Sequence, residues 1–241
     1  MKNLKFIALA LCALLVFDSC NNASNATKGS AIGAGGGAAL GALAGYLIGG
    51  RTGGGAAIGA AIGGAVGTGT GYLIGKKMDK AKAAAEQVAN AKVETVQDAN
   101  GLQAVKVTFD SGILFNTGSS ALSASAQNSL NSFANSVLKV NTDMDCAIQG
   151  YTDNQGWRGS TAAESTQKNQ ALSLQRAQAV STYLIGQGVS ASQIKSVEGL
   201  GESYPVADNS TAAGQQQNRR VEVYLYASKA MIDAANAGTL Q

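Results

Sequence analysis

Histidine is absent from this 241-residue chain, and its absence removes several function classes at once. Without an imidazole there is no Ser-His-Asp or Cys-His catalytic apparatus, no histidine metal ligand and no imidazole proton shuttle. Charged residues make up 14% of the chain and aromatic residues 5%, and a net charge of +3 is scattered rather than concentrated in a stripe. Nucleic-acid binding needs concentrated positive charge. We therefore expect no enzyme activity, no cofactor, no metal site and no nucleic-acid partner.

One catalytic pattern survives these exclusions. Ser165 and Lys168 have the S-x-x-K spacing of penicillin-binding enzymes, but the sequence has no K-T-G or K-S-G partner motif. We interpret the spacing as chance within a loop insertion. The alternative is an enzyme that acts on the cell wall through these two residues, and labelling by a β-lactam would support it.

The N-terminus has the pattern of an export signal. Lys2 and Lys5 precede an apolar run over 6–17, which is shorter than the roughly 20 residues that a membrane span needs. The run ends near Ser19 and Cys20, and this resembles a bacterial lipoprotein signal, in which the cysteine receives diacylglycerol. The resemblance implies a signal peptide over 1–19 and lipidation of Cys20. A single-span or a soluble secreted protein is the alternative.

The three cysteines agree with a lipid anchor. Cys12 would leave with the signal and Cys20 would be acylated, so only Cys146 would remain in an oxidising compartment and no internal disulfide could form. Cys146 alternates with Ile148 on an expected strand, which favours a small core residue over a reactive thiol.

Glycine, in contrast, is abundant, with 31 residues, and many of them recur at every fourth position. Two ladders run from Gly33 to Gly49 and from Gly55 to Gly75, and both contain the string GYLIG. Each glycine weakens a helix in water by about 1 kcal/mol relative to alanine. Spacing by four nevertheless aligns all of them on one helical face, where a second backbone can approach closely inside a membrane. The pattern resembles the glycine-zipper segments of bacterial outer-membrane lipoproteins.

We therefore expect a lipidated linker over 20–29 and a membrane-associated helical hairpin over 30–77. Its two arms, 32–48 and 56–74, would each extend about 25 to 28 Å, close to the roughly 30 Å apolar core of a bilayer. Such hairpins could also associate into a homo-oligomer. A flexible Gly/Ala tract is the alternative. Residues 78–100 follow as a spacer, whose Ala-, Lys- and Glu-rich composition favours a solvated helix.

The C-terminal half alternates strand and helix patterns. A turn at Asn100-Gly101 opens it, and Ser123 is a plausible helix N-cap. The element order β-α-β-α-β-β predicts an α/β sandwich over 101–228, with helices on one face of a mixed sheet, before a tail at 229–241 that is either a short helix or frayed. The strands are expected near 105–109, 146–148, 194–198 and 221–225, and the helices near 123–137 and 169–187.

One arginine on the second of these helices stands out on physical grounds. Arg176 lies within the same arc of about 100° as Leu172, Val180 and Tyr183, which form the core-facing stripe. A guanidinium buried there without a partner costs several kcal/mol. Asp153, just after a strand, is the nearest candidate partner. Alternatively, Arg176 reaches solvent from the edge of the stripe and Asp153 only caps a turn.

Four short strings carry the most specific signal because they occur together in a fixed order. They are GYTD at 150–153, NQALSLQRA at 169–177, GLGE at 199–202 and NRRV at 218–221. Over roughly 105–226 the chain thus resembles an OmpA-like peptidoglycan-binding domain. It departs from the pattern in two places. Tyr151 stands where a histidine is common, and the stretch between Gly156 and Asn169, which contains Trp157 and Arg158, is longer than usual and is a candidate lid or second contact surface.

The resemblance implies non-covalent recognition of diaminopimelate in the peptide stem of peptidoglycan. Asp153 and Arg176 match the aspartate and arginine that bind it, since a carboxylate receives the ligand ammonium and a guanidinium grips its carboxylate. Four further positions match residues that line or brace that pocket, although each is also an ordinary turn or strand-end residue: Asn116, Thr152, Asn169 and Arg219.

These patterns together predict a lipoprotein of the outer membrane that tethers the membrane to the cell wall. Its partners would be membrane lipid and peptidoglycan, and its C-terminal domain would lie in the periplasm. The alternative is a membrane oligomer or pore, in which zipper hairpins assemble and the C-terminal domain is only a scaffold.

Overall fold

The computed structural model describes residues 68–98 and 101–240, which are built around a five-stranded mixed sheet. The strand order is β1-β2-β5-β3-β4, and all neighbours are antiparallel except β3 and β4. The strands are β1 Ala91–Gln97, β2 Gln103–Asp110, β3 Met144–Gly150, β4 Ile194–Gly199 and β5 Arg220–Ala227. The expected signal peptide, Cys20, the linker over 20–29 and the zipper residues up to 67 lie outside the described residues.

The longer helices of the described residues cover one face of this sheet. Apolar side chains from α1, α3, α4 and α6 join those of the strands in one core, as the sequence predicts for this fold class. The helices are α1 Thr68–Ala85, α2 Ser111–Leu114, α3 Ala124–Phe133, α4 Ala162–Gly186, α5 Ala212–Asn218 and α6 Lys229–Asn236, with a π-helical continuation of α3 over Ala134–Leu138.

The two central helices begin at side-chain caps. Ser123 Oγ accepts a hydrogen bond from Ala126 N at 3.0 Å and starts α3, as the sequence predicts. Helix α4 begins at Ala162, earlier than the expected 169, because Thr161 and Glu164 form a capping box. The Glu164 carboxylate accepts from Thr161 N at 2.7 Å, and Thr161 Oγ1 accepts from Glu164 N at 3.3 Å.

The solvated helical spacer expected over 78–100 is wrong. Helix α1 ends at Ala85, and Met78 is buried in the core rather than exposed to solvent. Residues 91–97 form the edge strand β1, which pairs with β2 in a hairpin that places Val93 opposite Val107. The β-branched residues in this segment favour a strand, and their signal outweighs the Ala- and Lys-rich composition of the preceding helix.

The end of the second glycine ladder belongs to the folded domain. Ile74, which the sequence assigned to a lipid-facing position, is fully buried in the domain core, whereas Tyr72 is 46% exposed. Helix α1 also contacts α6, where Thr70 Oγ1 donates to Asn236 Oδ1 at 2.8 Å. The last ten residues of the predicted hairpin, 68–77, therefore form the first part of α1. Within 68–98 and 101–240, no helix combines the length and the apolar character that crossing a bilayer requires.

The C-terminal segment after 228 is an ordered helix rather than a frayed tail. Ser228 Oγ accepts from Met231 N at 3.1 Å and caps α6. Met231 and Ile232 are buried in the main core. Because α6 packs against α1, the two ends of the described chain form one side of the domain.

Two glycines allow α4 to lie directly against the sheet. Gly150 and Gly199 are paired neighbours at the ends of the parallel strands β3 and β4. A β-carbon at Gly150 would overlap the backbone carbonyl of Ser173, and one at Gly199 would overlap the backbone of Leu174. The absence of both side chains sets the distance between the sheet and the middle of α4, and thus the position of Arg176 one turn further along.

Candidate functional site

A cleft of about 540 Å³ lies where the end of β3, the segment after α2 and the first half of α4 meet. Its lining includes every ligand-binding residue that the sequence singled out, so the fold brings them together from four separate segments. They are Asn116, Thr152, Asp153, Asn169, Arg176 and Arg219.

Asp153 lies in the cleft wall just beyond β3 and is only 6% exposed. One carboxylate oxygen, Oδ2, forms an ion pair with Arg219 Nη1, and the other, Oδ1, accepts from Gln155 N at 3.1 Å. Arg219 directly precedes β5, and β5 is the antiparallel neighbour of β3, with Gly150 opposite Val221. Strand pairing therefore brings these two charges together.

Arg176 projects from α4 into the cleft and is 4% exposed. Its Nε donates to the carbonyl of Ser119 at 3.0 Å, its Nη2 approaches the carbonyl of Asn116 at 3.5 Å, and its guanidinium lies 5.1 Å from the ring centroid of Phe115. Burial lowers the pKa of the Arg176 guanidinium, nearby Arg219 lowers it further, and Asp153 opposes both effects. The group is desolvated and its hydrogen-bond acceptors are neutral.

Arg176 does not pair with Asp153, the candidate partner that the sequence offered. Asp153 binds Arg219 instead, and no carboxylate of residues 68–98 and 101–240 lies within ion-pair distance of the Arg176 guanidinium. The two side chains nevertheless line the same cleft. The cleft thus contains the carboxylate of Asp153, whose charge is neutralised by an ion pair, and the guanidinium of Arg176, whose charge is not.

Thr152 contributes a hydroxyl that is buried against the same cleft. Its side chain is 5% exposed, and its Oγ1 has no hydrogen-bond partner among the described residues. Its backbone N donates to the carbonyl of Gly201 at 2.8 Å, which fixes the residue in place. Buried hydroxyls are normally paired, so this one is an unsatisfied polar group in the wall of the cleft.

Asn169 ties the loop after β3 to helix α4. Its Oδ1 accepts from Trp157 Nε1 at 2.8 Å, and its Nδ2 donates to the carbonyl of Gln155 at 3.2 Å and to Glu202 Oε2 at 3.0 Å. Trp157 and its neighbour Arg158 also line the cleft. The long stretch between 156 and 169 is therefore part of the site wall, with its second half forming the first turns of α4.

Ser165 and Lys168 lie in α4 and not in a loop as expected. Ser165 Oγ accepts from the backbone N of Trp157 at 3.0 Å, while Lys168 Nζ donates to Ser160 Oγ at 2.8 Å and lies 6.0 Å from the Trp157 ring centroid. Both residues hold the Trp157 loop against the helix. These contacts give both residues a structural role, and none of them joins Ser165 to Lys168.

Tyr151 is directed away from the cleft, to the opposite side of the sheet. It is 1% exposed, its hydroxyl donates to Gln149 Oε1 at 2.8 Å, and the Arg220 guanidinium lies 3.7 Å from its ring centroid. Arg220 in turn pairs with Glu222 at 2.7 Å. Burial raises the pKa of the Tyr151 hydroxyl, with Glu222 adding to the effect. Replacement of the common histidine at this position therefore leaves the cleft lining unchanged.

Sequence reasoning missed Phe115, which packs against the Arg176 guanidinium, and the carbonyl of Ser119, which accepts from it. Both lie in the segment after α2, whose ends are joined by an isolated bridge between Phe115 and Leu122. A backbone carbonyl has no signature in the sequence. The aromatic residue before Asn116 was the available signal, since arginine often stacks on aromatic rings.

Family models match the chain in two separate parts. Residues 114–219, which contain most of the cleft, match the model of the OmpA family. The chain contains an OmpA family domain. Residues 1–79 match the model of the YMGG-like Gly-zipper, so the glycine ladders also have a known family.

Curated proteins similar to the OmpA family domain include two lipoproteins. The probable lipoprotein YiaD of Escherichia coli is 41% identical over 113 residues, which are 47% of this chain and 47% of that protein. The outer-membrane lipoprotein YfiB of Pseudomonas aeruginosa is 38% identical over 113 residues, 47% of this chain and 61% of that protein. The peptidoglycan-binding protein ArfA of Mycobacterium tuberculosis is 43% identical over 86 residues, 36% of this chain and 24% of that protein. The chain thus spans about half the length of the lipoproteins that it matches.

Proposed function

We propose that the OmpA family domain binds peptidoglycan non-covalently by holding diaminopimelate of the peptide stem in the cleft of Asp153 and Arg176. One observation carries the proposal: Arg176 is 4% exposed, faces the cleft and has only neutral acceptors among the described residues. A buried guanidinium without a counterion is costly, and a ligand carboxylate would supply the missing charge through two parallel hydrogen bonds.

Asp153 would bind the other end of a zwitterionic ligand. Its ion pair with Arg219 uses part of the carboxylate, and an ionised carboxylate offers about four lone-pair sites. A ligand ammonium could therefore bind beside Arg219 without displacing it. The Thr152 hydroxyl is a further polar group in the same wall, buried and without a partner among the described residues. Carboxylate, guanidinium and hydroxyl together suit an amino-acid headgroup better than a sugar or a phosphate.

The anchor is part of the same proposal. Cys20 would carry the lipid in the outer membrane, the Gly-zipper segment would associate with that membrane, and the OmpA family domain would lie in the periplasm against the cell wall. The match of 1–79 to a Gly-zipper model and the lipoprotein names of YiaD and YfiB support this arrangement. The name of ArfA supports peptidoglycan as the partner.

Sedimentation with purified sacculi tests the proposal. Native chain should pellet with sacculi that contain diaminopimelate, whereas the Arg176→Ala and Asp153→Asn variants should stay in the supernatant with unchanged circular dichroism. Lys229→Ala is a matched control, because it also removes a cationic side chain but lies on α6 and is 70% exposed. Retained sedimentation of a folded Arg176→Ala variant would reject this site.

A further inference from the structure

The lining of the cleft has more positive than negative charge. Its charged residues within the described part of the chain are Arg158, Arg176 and Arg219 against the single acid Asp153. Arg219 and Asp153 neutralise each other in an ion pair. Two arginines of the lining, Arg158 and Arg176, are left, and none of the ion pairs found in 68–98 and 101–240 includes either of them. A single ligand carboxylate would satisfy only one of the two.

Arg158 is exposed, but the loop that carries it is fixed on both sides. The preceding residue, Trp157, donates to Ser165 Oγ through its backbone at 3.0 Å and to Asn169 Oδ1 through its indole at 2.8 Å. Ser160 N then closes the turn by donating to the carbonyl of Trp157 at 3.0 Å, and Gly159 takes a positive φ of 75° within it. The backbone around Arg158 is thus positioned at the cleft rim before any ligand arrives.

The spacing along α4 separates Arg176 from the point at which the loop that carries Arg158 is held. Asn169, which holds the Trp157 loop, and Arg176 are seven residues apart, so they share one helical face and are separated by about 10 Å at 1.5 Å per residue. An extended chain advances about 3.5 Å per residue. Two carboxylates bound at the rim and at the base would therefore lie on different residues of one ligand.

We infer that the cleft binds a ligand with two carboxylates, one held by Arg176 at the base and a second, from a neighbouring residue of the same peptide, held by Arg158 at the rim. This inference rests on the proposed function and specifies its ligand class as an acidic stem peptide rather than an isolated zwitterion. The loop between 156 and 169 acts as a specificity element, and its tryptophan is an anchor for Arg158 rather than a stacking platform.

Calorimetric titration of the full chain with two synthetic stem peptides tests the second contact. Both peptides end in diaminopimelate and contain the preceding glutamate, whose free carboxyl is either ionised or converted to the amide. Native chain should bind the acid more tightly than the amide by roughly threefold to tenfold at low salt, because the contact is a charge-assisted hydrogen bond at an exposed site. The preference should shrink at high salt as the exposed charges are screened.

Arg158→Gln should remove the preference while binding the amide as tightly as native chain does. Lys229→Gln, the same charge change on α6, should keep it. An Arg158→Gln variant that still prefers the acid, or a native chain that binds both peptides equally, would overturn the second contact and leave the proposed function intact. A native chain that binds neither peptide would instead contradict the proposed function itself.

Discussion

Arg219 forms an ion pair with Asp153 in the wall of the cleft, and this contact leaves Arg176 with only backbone carbonyls as acceptors. The arrangement follows from strand pairing, since Arg219 precedes β5 and Asp153 follows its antiparallel neighbour β3. One arginine therefore has a structural role beside the acid, while the other is kept desolvated and available.

Replacing Arg176 by methionine should not destabilise the domain, although it should abolish binding to sacculi. Methionine fills much of the same volume beside Phe115 and removes a buried charge that has no carboxylate partner among the described residues. Replacing buried charges by apolar side chains is often neutral or stabilising by about 1 kcal/mol or more. Urea unfolding would measure the change. A loss above about 2 kcal/mol would show that the carbonyl contacts of Arg176 are mainly structural.

Replacing Arg219 by alanine should lower the unfolding free energy by only about 1 kcal/mol, because the Arg219 side chain is 35% exposed and solvent screens its ion pair. The loss arises mainly from leaving the Asp153 carboxylate buried without its partner. The double variant Arg219→Ala with Asp153→Asn should therefore regain part of the stability. A double variant that is less stable than either single one would contradict this explanation.

Replacing Gly150 by alanine should be strongly destabilising, with a loss of at least about 2 kcal/mol, since the new methyl group would overlap the Ser173 carbonyl and push α4 from the sheet. Gly186→Ala, at the end of α4, is the control, because no atom lies within 4 Å of its added β-carbon. That control should be neutral or slightly stabilising. Thermal unfolding of both variants would compare them directly.

Replacing Ile74 by alanine should destabilise the OmpA family domain by about 2 to 4 kcal/mol, the range for truncating a buried side chain of this size. Ile74 is fully buried, so the effect should appear in the cooperative unfolding transition of the domain. Tyr72→Ala on the same helix is the control, since that side chain is 46% exposed. Equal and small effects of both changes would mean that α1 contributes little to the core.

Cys146 should resist thiol reagents at pH 8 until the domain unfolds. Burial raises the pKa of its thiol to about 12, and Asp145 adds to the effect. The reactive species is the thiolate, whose fraction at pH 8 is then only about one in ten thousand. A chain with serine at positions 12 and 20 would give an unambiguous signal. Rapid labelling without denaturant would contradict the buried environment, whereas labelling should rise with urea in step with unfolding.

The order of strands and helices over 101–228 could be predicted from the sequence because the apolar residues of each element recur with the spacing typical of a strand or of a helix. The alternation around Phe109 and Val223 and the helical spacing after Ser123 reflect burial on one face, and the structure confirms them. The same approach failed over 78–97, where composition outweighed a short β-branched signal and a solvated helix was expected in place of β1. It also placed the start of α4 too late, since the capping box at Thr161 was not recognised.

The sequence alone identified five of the side chains that line the cleft, because three of the four strings contain them: Thr152, Asp153, Asn169, Arg176 and Arg219. Only the tertiary structure decided how their charges pair. Asp153 and Arg219 are 66 residues apart and meet through the β3–β5 pairing, whereas Arg176 is directed to the carbonyls of Asn116 and Ser119 on another segment. Charge attraction acts on any opposite charge nearby, whatever its position in the sequence. The partner of a buried arginine therefore depends on which backbone segments the sheet and the helix place close to it.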